Sequence, residues 1–329
     1  LWFNIGKKGV LTRCGGLLYS ILLSLAGAYK KVHLVYIYFM KYILLIVIIP
    51  FVSCAQKMNE RLLLQDLQYL SSDSLKGRKT GTVENLIAAN YIANRFKKIG
   101  LTAYKGGYLQ EFTFKNRSGQ YVKGTNVIAC LPGRKEAAIV ISAHFDHVGV
   151  INGRIFNGAD DNASGVSGLM ALAAYFVKKK PNHTLVFAAF DGEEIGLQGS
   201  KAFVNNPPLP LDKIKLNLNM DMISHNDKGE LFVAGTFKSH GLKQFLPAGY
   251  KSTKLLTGHD DPKLGVNDWT DQSDQGSFNE KGIPFLYFGV EDHKDYHKET
   301  DEYKNINEEF FKDAVEVIRQ VLENLDANL

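Results

Sequence analysis

The sequence predicts an α/β fold, with a central and mostly parallel sheet covered by helices on both faces. Three observations carry this. Strand-like and helix-period segments alternate from residue 137 to residue 325, the pattern of packed α/β layers. The runs Ala137 to Ala143 and Thr184 to Phe190 are apolar almost throughout, as strands covered on both faces must be. His and carboxylate residues follow the strand runs at their carboxyl ends, where open α/β sheets hold their sites.

The helical part comes first. Leu62, Leu63, Leu67 and Leu70 recur at helical spacing, as do Ile87, Ala88, Tyr91, Ile92 and Phe96, and Gly100 closes the second helix. The stretch Lys76 to Thr82, rich in Gly, Thr and charge, reads as the loop between them. Residues 101–137 carry two or three short strands with turns at Gly106-Gly107 and Gly119. Gly165 to Lys179 is an amphipathic helix, and Gly199 to Val204 starts a short one. Further strands fall at Leu216 to Met222, Glu230 to Ala234 and Pro284 to Val290, and a helix ends over Phe278 to Gly282. The last helix, Phe310 to Leu325, aligns Phe311, Val315, Ile318, Leu322 and Leu325 on one face, and Asn305 with Glu308 is its expected capping box. Residues 235–277 show no period and are expected to loop around the pocket.

The chain has 329 residues, of which 45% are hydrophobic and 22% charged, ordinary values for a globular domain. Its net charge of +5 has a local origin. Residues 1–53 hold six Lys and Arg and no Asp or Glu, so the rest carries 33 basic and 34 acidic residues. A near-neutral body excludes a nucleic-acid footprint.

Met40-Lys41, the apolar run Tyr42 to Val52 and the small-residue zone Ser53-Cys54-Ala55 form an export signal over residues 40–55. It resembles a bacterial lipoprotein signal in which Cys54 is lipidated. A plain cut after Ala55 and a retained anchor are the rivals. Residues 1–39 read as an upstream extension ahead of Met40, and residues 56–329 as one domain. The expected location is the cell envelope, by a lipid anchor, or the secreted fraction. Cys130 sits in an apolar run, so a buried inert thiol is expected.

Five segments carry the chemistry: A-H-F-D (His144, Asp146), G-A-D-D-N-A-S-G (Asp160, Asp161), D-G-E-E-I-G (Glu193, Glu194), N-M-D-M (Asp221) and D-Y-H-K-E-T-D (His297). Imidazole and carboxylate ligands suit zinc, and a pair of ions about 3.5–4 Å apart needs a bridging carboxylate. Each residue also has a plainer reading. His144 ends a buried strand as a core His can, and Asp146 two residues on faces the same side, able to fix its tautomer. Asp160 to Asn162 can cap the following helix. Glu193 and Glu194 can be a solvated pair. His147 reads as structural, and His293 competes with His297. Asp221 stands between two Met residues in an apolar strand, where an unpartnered carboxylate is costly.

The five segments, in this order, resemble the co-catalytic zinc aminopeptidases, peptidase family M twenty-eight. So do G-R-K-T-G-T (Gly77 to Thr82), T-N-V-I-A-C-L-P-G (Thr125 to Gly133) and S-D-Q-G-S-F-N-E-K-G-I-P (Ser273 to Pro284). The resemblance implies a three-layer α/β sandwich with a mixed sheet, the zinc-peptidase (phosphorylase/hydrolase-like) architecture. It implies two zinc ions. His144 and Asp221 would hold one, Glu194 and His297 the other, with Asp161 bridging and Glu193 as general base. The implied substrates are peptide or protein N-termini; the sequence itself leaves the oligomeric state open, with a monomer as the expectation. A single-zinc glutaminyl cyclase and a non-catalytic binding domain are the alternatives on this fold. The sequence departs from the family at Gln275, where many relatives carry His; this position is expected near the substrate. Tyr287 is a candidate for oxyanion contact or for core packing.

Overall fold

The structure is a computed structural model that describes residues 57–329, together with Tyr36 and Tyr38. The signal segment 40–55 with Cys54, and the rest of segment 1–39, lie outside the described residues. Lys57–Leu329 is one compact unit. No helix among the described residues is long and apolar enough to cross a membrane.

The chain enters through two helices, α1 (Glu60–Leu70) and α2 (Val83–Ile99). Asn59 and Thr82 cap their N-termini by accepting the Leu62 and Asn85 amides, and left-handed Gly100 ends α2. Strands β1 (Thr102–Ala103), β2 (Leu109–Lys115), β3 (Tyr121–Leu131) and β4 (Lys135–His144) follow, then the small hairpin β5 (Gly149–Ile151) and β6 (Arg154–Phe156). Next come α3 (Gly165–Phe176), β7 (His183–Phe190), α4 (Gln198–Asn205), β8 (Ile214–Met220) and β9 (Glu230–Ala234). The chain finishes with β10 (Gly249–Tyr250), β11 (Thr253–Thr257), α5 (Gln275–Glu280), β12 (Phe285–Gly289) and α6 (Glu308–Asn328).

The main sheet runs β1-β3-β7-β4-β8-β12-β9-β11-β10, with β2 also on β3. Its centre, β7-β4-β8-β12, is parallel. The flanks are mixed: β3 is antiparallel to β7, and β12 to β9. Helices α1, α2, α3 and α6 cover one face, burying Leu67, Phe96, Leu169 and Ile318 against Ile139, Ile141 and Leu218. Helices α4 and α5 cover the other, where Phe203 and Phe278 pack on each other and on Phe190. Parallel strands buried on both faces explain the long apolar runs, and they gather the carboxyl ends of β4, β7 and β8 along one edge.

Three local readings are corrected. Asn307, not Asn305, caps α6: its Oδ1 accepts the Phe310 amide at 3.1 Å, while Asn305 Nδ2 donates to the Thr300 carbonyl. Asn305 lies inside a preceding 3-10 turn, too early to reach the helix. The aperiodic stretch 235–277 contains β10 and β11, strands too short to show a period. Cys130 is half-buried in β3, and burial pushes its thiol up to about 11.

Candidate metal centre

Seven of the eight residues named in the five segments reach the same edge of the sheet. His144 is the last residue of β4, Asp221 follows β8 directly, and Glu193 and Glu194 stand in the turn after β7. Asp161 lies in an irregular turn ahead of α3, and His297 in the loop between β12 and α6, at a left-handed φ of 54°. These six surround a cavity of about 390 Å³ whose wall includes Met222, Trp269, Tyr287 and Val290; Asp146 is buried and does not line it.

The tautomer of His144 follows from its neighbours. Nδ1 lies 3.1 Å from the Asp146 carbonyl, which can only accept, so Nδ1 carries the proton. Nε2 then faces Asp221 Oδ1 at 3.2 Å and Asp161 Oδ1 at 3.4 Å. A nitrogen lone pair facing two carboxylate oxygens needs a positive charge between them, a proton or a metal ion. His297 repeats the arrangement: Nε2 is 3.0 Å from Asp161 Oδ2 and 3.5 Å from Glu194 Oε2. Asp161 thus turns one oxygen to each histidine.

The electrostatics agree with a site built for cations. Burial works against a charged His144, but Asp221 and Glu193 overcome it and hold the imidazolium well above its usual range. Burial raises Glu193 well above the carboxylate range, partly offset by His144. Burial likewise carries Glu194 to about 7. Asp161 is raised by burial and then by Glu194. Four crowded carboxylates (Asp161, Glu193, Glu194 and Asp221) and two Nε2 atoms turned toward carboxylate oxygens make a donor set that fits divalent metal, zinc in particular.

The supporting residues hold backbone as much as side chains. Asp146 accepts the Glu193 amide at 3.1 Å, and its other oxygen lies 3.4 Å from the Glu194 amide and 3.1 Å from Thr80 Oγ1. Asp301 accepts the amides of Asp160 and Asp161 at 2.8 and 3.0 Å. Asp160 turns away from the cavity, accepting the Ser224 amide at 2.6 Å and bonding His293 at 3.0 Å. That removes His293 from competition with His297. Asn162 Oδ1 accepts the amide of Gly165, the first residue of α3, at 2.9 Å.

Two readings change. Gln275 is wholly buried and does not line the cavity. Its amide donates to the Trp269 carbonyl at 2.7 Å and accepts from Asn219 at 3.0 Å, so it braces the loop that carries Trp269. His147, read as structural, touches the centre: its Nδ1 lies 2.7 Å from Glu194 Oε1, and burial lowers its pKa to about 4, keeping the ring neutral. The spacing H-x-D-H was visible, but only the fold decides that the second His faces Glu194. Arg78 had no sequence signal beyond its motif. It is wholly buried beneath the centre and donates to the carbonyls of Phe145, Leu70, Asn157 and Gly158. Tyr287 lines the cavity, and its hydroxyl points at the Asp221 carbonyl at 3.4 Å.

Comparison with known proteins agrees with this architecture. The alkaline phosphatase isozyme conversion protein of Escherichia coli (strain K12) is 28% identical over 138 residues, 38% of this chain and 40% of that protein. The vacuolar membrane protease of Saccharomyces cerevisiae (strain YJM789) is 35% identical over 100 residues, 30% of this chain and 10% of its own length. The chain thus spans less than half the length of these curated relatives. Among solved structures, an aminopeptidase from Aneurinibacillus sp. strain AM-1 superposes with a TM-score of 0.63 at 17% identity, covering 81% of this chain and 93% of its own. Porphyromonas gingivalis glutaminyl cyclase gives 0.65 at 17% identity, covering 82% and 100%. At such identity the likeness is one of fold. The model of peptidase family M28 matches residues 126–322, a span from β3 into α6 that includes every His and carboxylate facing the cavity; this chain belongs to peptidase family M28.

Proposed function

We propose that the protein is a zinc-dependent aminopeptidase that removes N-terminal residues from peptides. The observation that carries this reading is the division of Asp161 between His144 and His297. It supports two half-sites sharing one carboxylate: His144 with Asp221, and His297 with Glu194. Bound there, zinc would supply Lewis acidity and lower the pKa of a water to about 7.

The remaining work falls to the chain's own residues. Glu193 stands beside the half-site of His144 and Asp221, its Oε2 4.0 Å from His144 Nε2. It takes the proton of the attacking water and passes it to the leaving amine. A raised pKa suits both transfers. Asp146 holds the Glu193 and Glu194 backbone and the His144 tautomer. His147 donates to Glu194 and fixes its rotamer. Met222, Tyr287, Val290 and Trp269 form the apolar wall for the first side chain of the substrate. The aminopeptidase among the structural neighbours adds support.

The test is Glu193→Gln. It should abolish release of nitroaniline from leucine nitroanilide while leaving metal content unchanged; normal turnover would overturn the role. One zinc per chain with pyroglutamate formed from N-terminal Gln would replace this reading with a cyclase. Export and lipidation at Cys54 belong to the same proposal, and labelled palmitate incorporated by the wild type and lost in Cys54→Ala checks them.

A further inference from the structure

The order of the strands gives the cavity a direction. Along the edge that holds the site, β3 is followed by β7, β4, β8 and β12. The apolar wall stands at the β8 and β12 end, where Met222 follows β8 and Tyr287 and Val290 belong to β12 and its exit. Glu193 stands at the end of β7, nearer the opposite flank. A substrate whose first side chain lies on the apolar wall and whose scissile carbonyl meets Glu193 must send its leaving part toward β3.

What waits there is Arg117. Strand β3 starts at Tyr121, but its pairing with β7 begins only at Val127 opposite Ala189. Residues 121–126 and the β2–β3 turn therefore overhang the end of β7. The Thr125 amide confirms this, donating to Asp191 beside the site at 2.8 Å. Asn116 Oδ1 pins the turn by accepting the amides of Ser118 and Gln120 at 3.1 and 2.9 Å. Arg117, exposed on this turn, belongs to the lining of the cavity. It makes none of the hydrogen bonds or ion pairs found among the described residues. Among the described residues, it is also the one Lys or Arg in a lining otherwise rich in Asp and Glu.

A cavity of about 390 Å³ is the scale of a small-molecule site, enough for a few residues. An N-terminal peptide brings an ammonium to the acidic interior and a carboxylate some residues away. We propose that Arg117 binds a carboxylate on the residue that follows the scissile bond, which makes dipeptides or peptides acidic at that position the preferred substrates. Guanidinium and carboxylate match as a two-pronged pair. The inference rests on the aminopeptidase reading.

The experiment compares kcat/KM for two substrate pairs in the full chain: Leu-Gly against Leu-Gly-amide, and Leu-Asp-amide against Leu-Asn-amide. The first pair reports a terminal carboxylate, the second a side-chain one. The wild type should favour the acid in at least one pair by about tenfold. The ratio should fall to about one in Arg117→Gln and stay partly above it in Arg117→Lys. Because the readout is a ratio within each variant, a general loss of folding does not imitate it. Equal rates within both pairs in the wild type, or a preference that survives Arg117→Gln, would overturn the role of Arg117 alone. A wild type that leaves leucine nitroanilide and all four peptides intact would overturn the aminopeptidase reading and this inference with it.

Discussion

Asp146 accepts the backbone amide of Glu193 at 3.1 Å, across 47 residues of sequence. The same carboxyl group belongs to the residue whose carbonyl fixes His144. One residue thus orients a metal-facing imidazole and the turn that carries both glutamates. Asp146→Ala should lower kcat more than it alters KM and weaken metal retention by about 10–100-fold. Metal content after dialysis against a graded chelator series measures this; retention equal to the wild type would refute it.

Arg78 satisfies four carbonyls from segments that carry the site, those of Leu70, Phe145, Asn157 and Gly158. Burial lowers its pKa to about 10, and the carboxylates of Asp161, Asp301, Asp146 and Glu194 oppose that fall. Arg78→Met strands buried acceptors and removes their nearest fixed cation. It should cost more than about 3 kcal/mol in urea unfolding. Arg78→Lys should recover only part of this, because one ammonium cannot span four carbonyls.

Asn307→Ala removes the cap of α6 and should cost about 1 kcal/mol. Asn305→Ala, at the position where the sequence pattern put the cap, should stay within about 0.5 kcal/mol. Thermal melts of the two variants side by side decide between the positions.

Stripped of metal, the protein should lose stability as pH rises. Asp191, Asp274, Asp301 and Glu194 are each carried to about 7, with burial as the main cause. Their unfolded values are near 4, so the folded state holds these protons longer. That stabilisation is complete below about pH 4 and is lost as pH climbs through about 7. His147, lowered to about 4 by burial, works in the opposite sense below its unfolded value but is outnumbered. Chelated protein should therefore melt at lower temperature near pH 8 than near pH 5. Added zinc should flatten the contribution of Glu194 by taking the place of its proton. A melting temperature of the chelated form that rises over this range would contradict the assignment.

The sequence by itself determined the strand and helix order, because burial on two faces writes itself as apolar runs and helical periods. It also singled out six of the His, Asp and Glu residues that line the cavity, because such residues at strand ends have few structural uses. It could not rank neighbours of the same type. His144 and His147 differ by three residues, and only the turn of the chain points one at Asp221 and the other at Glu194. Asn305 and Asn307 differ by two, and only the preceding 3-10 turn decides which reaches Phe310. Gln275 looked like a substrate contact until α5 buried it against Asn219. Arg78, Thr80, Asp301 and Arg117 act across distances that no local pattern encodes. Their partners are backbone carbonyls for Arg78, distant carboxylates for Thr80 and backbone amides for Asp301, while the place of Arg117 is set by strand order. Periodicity records which side of an element is buried, whereas the tertiary structure decides which distant groups meet there.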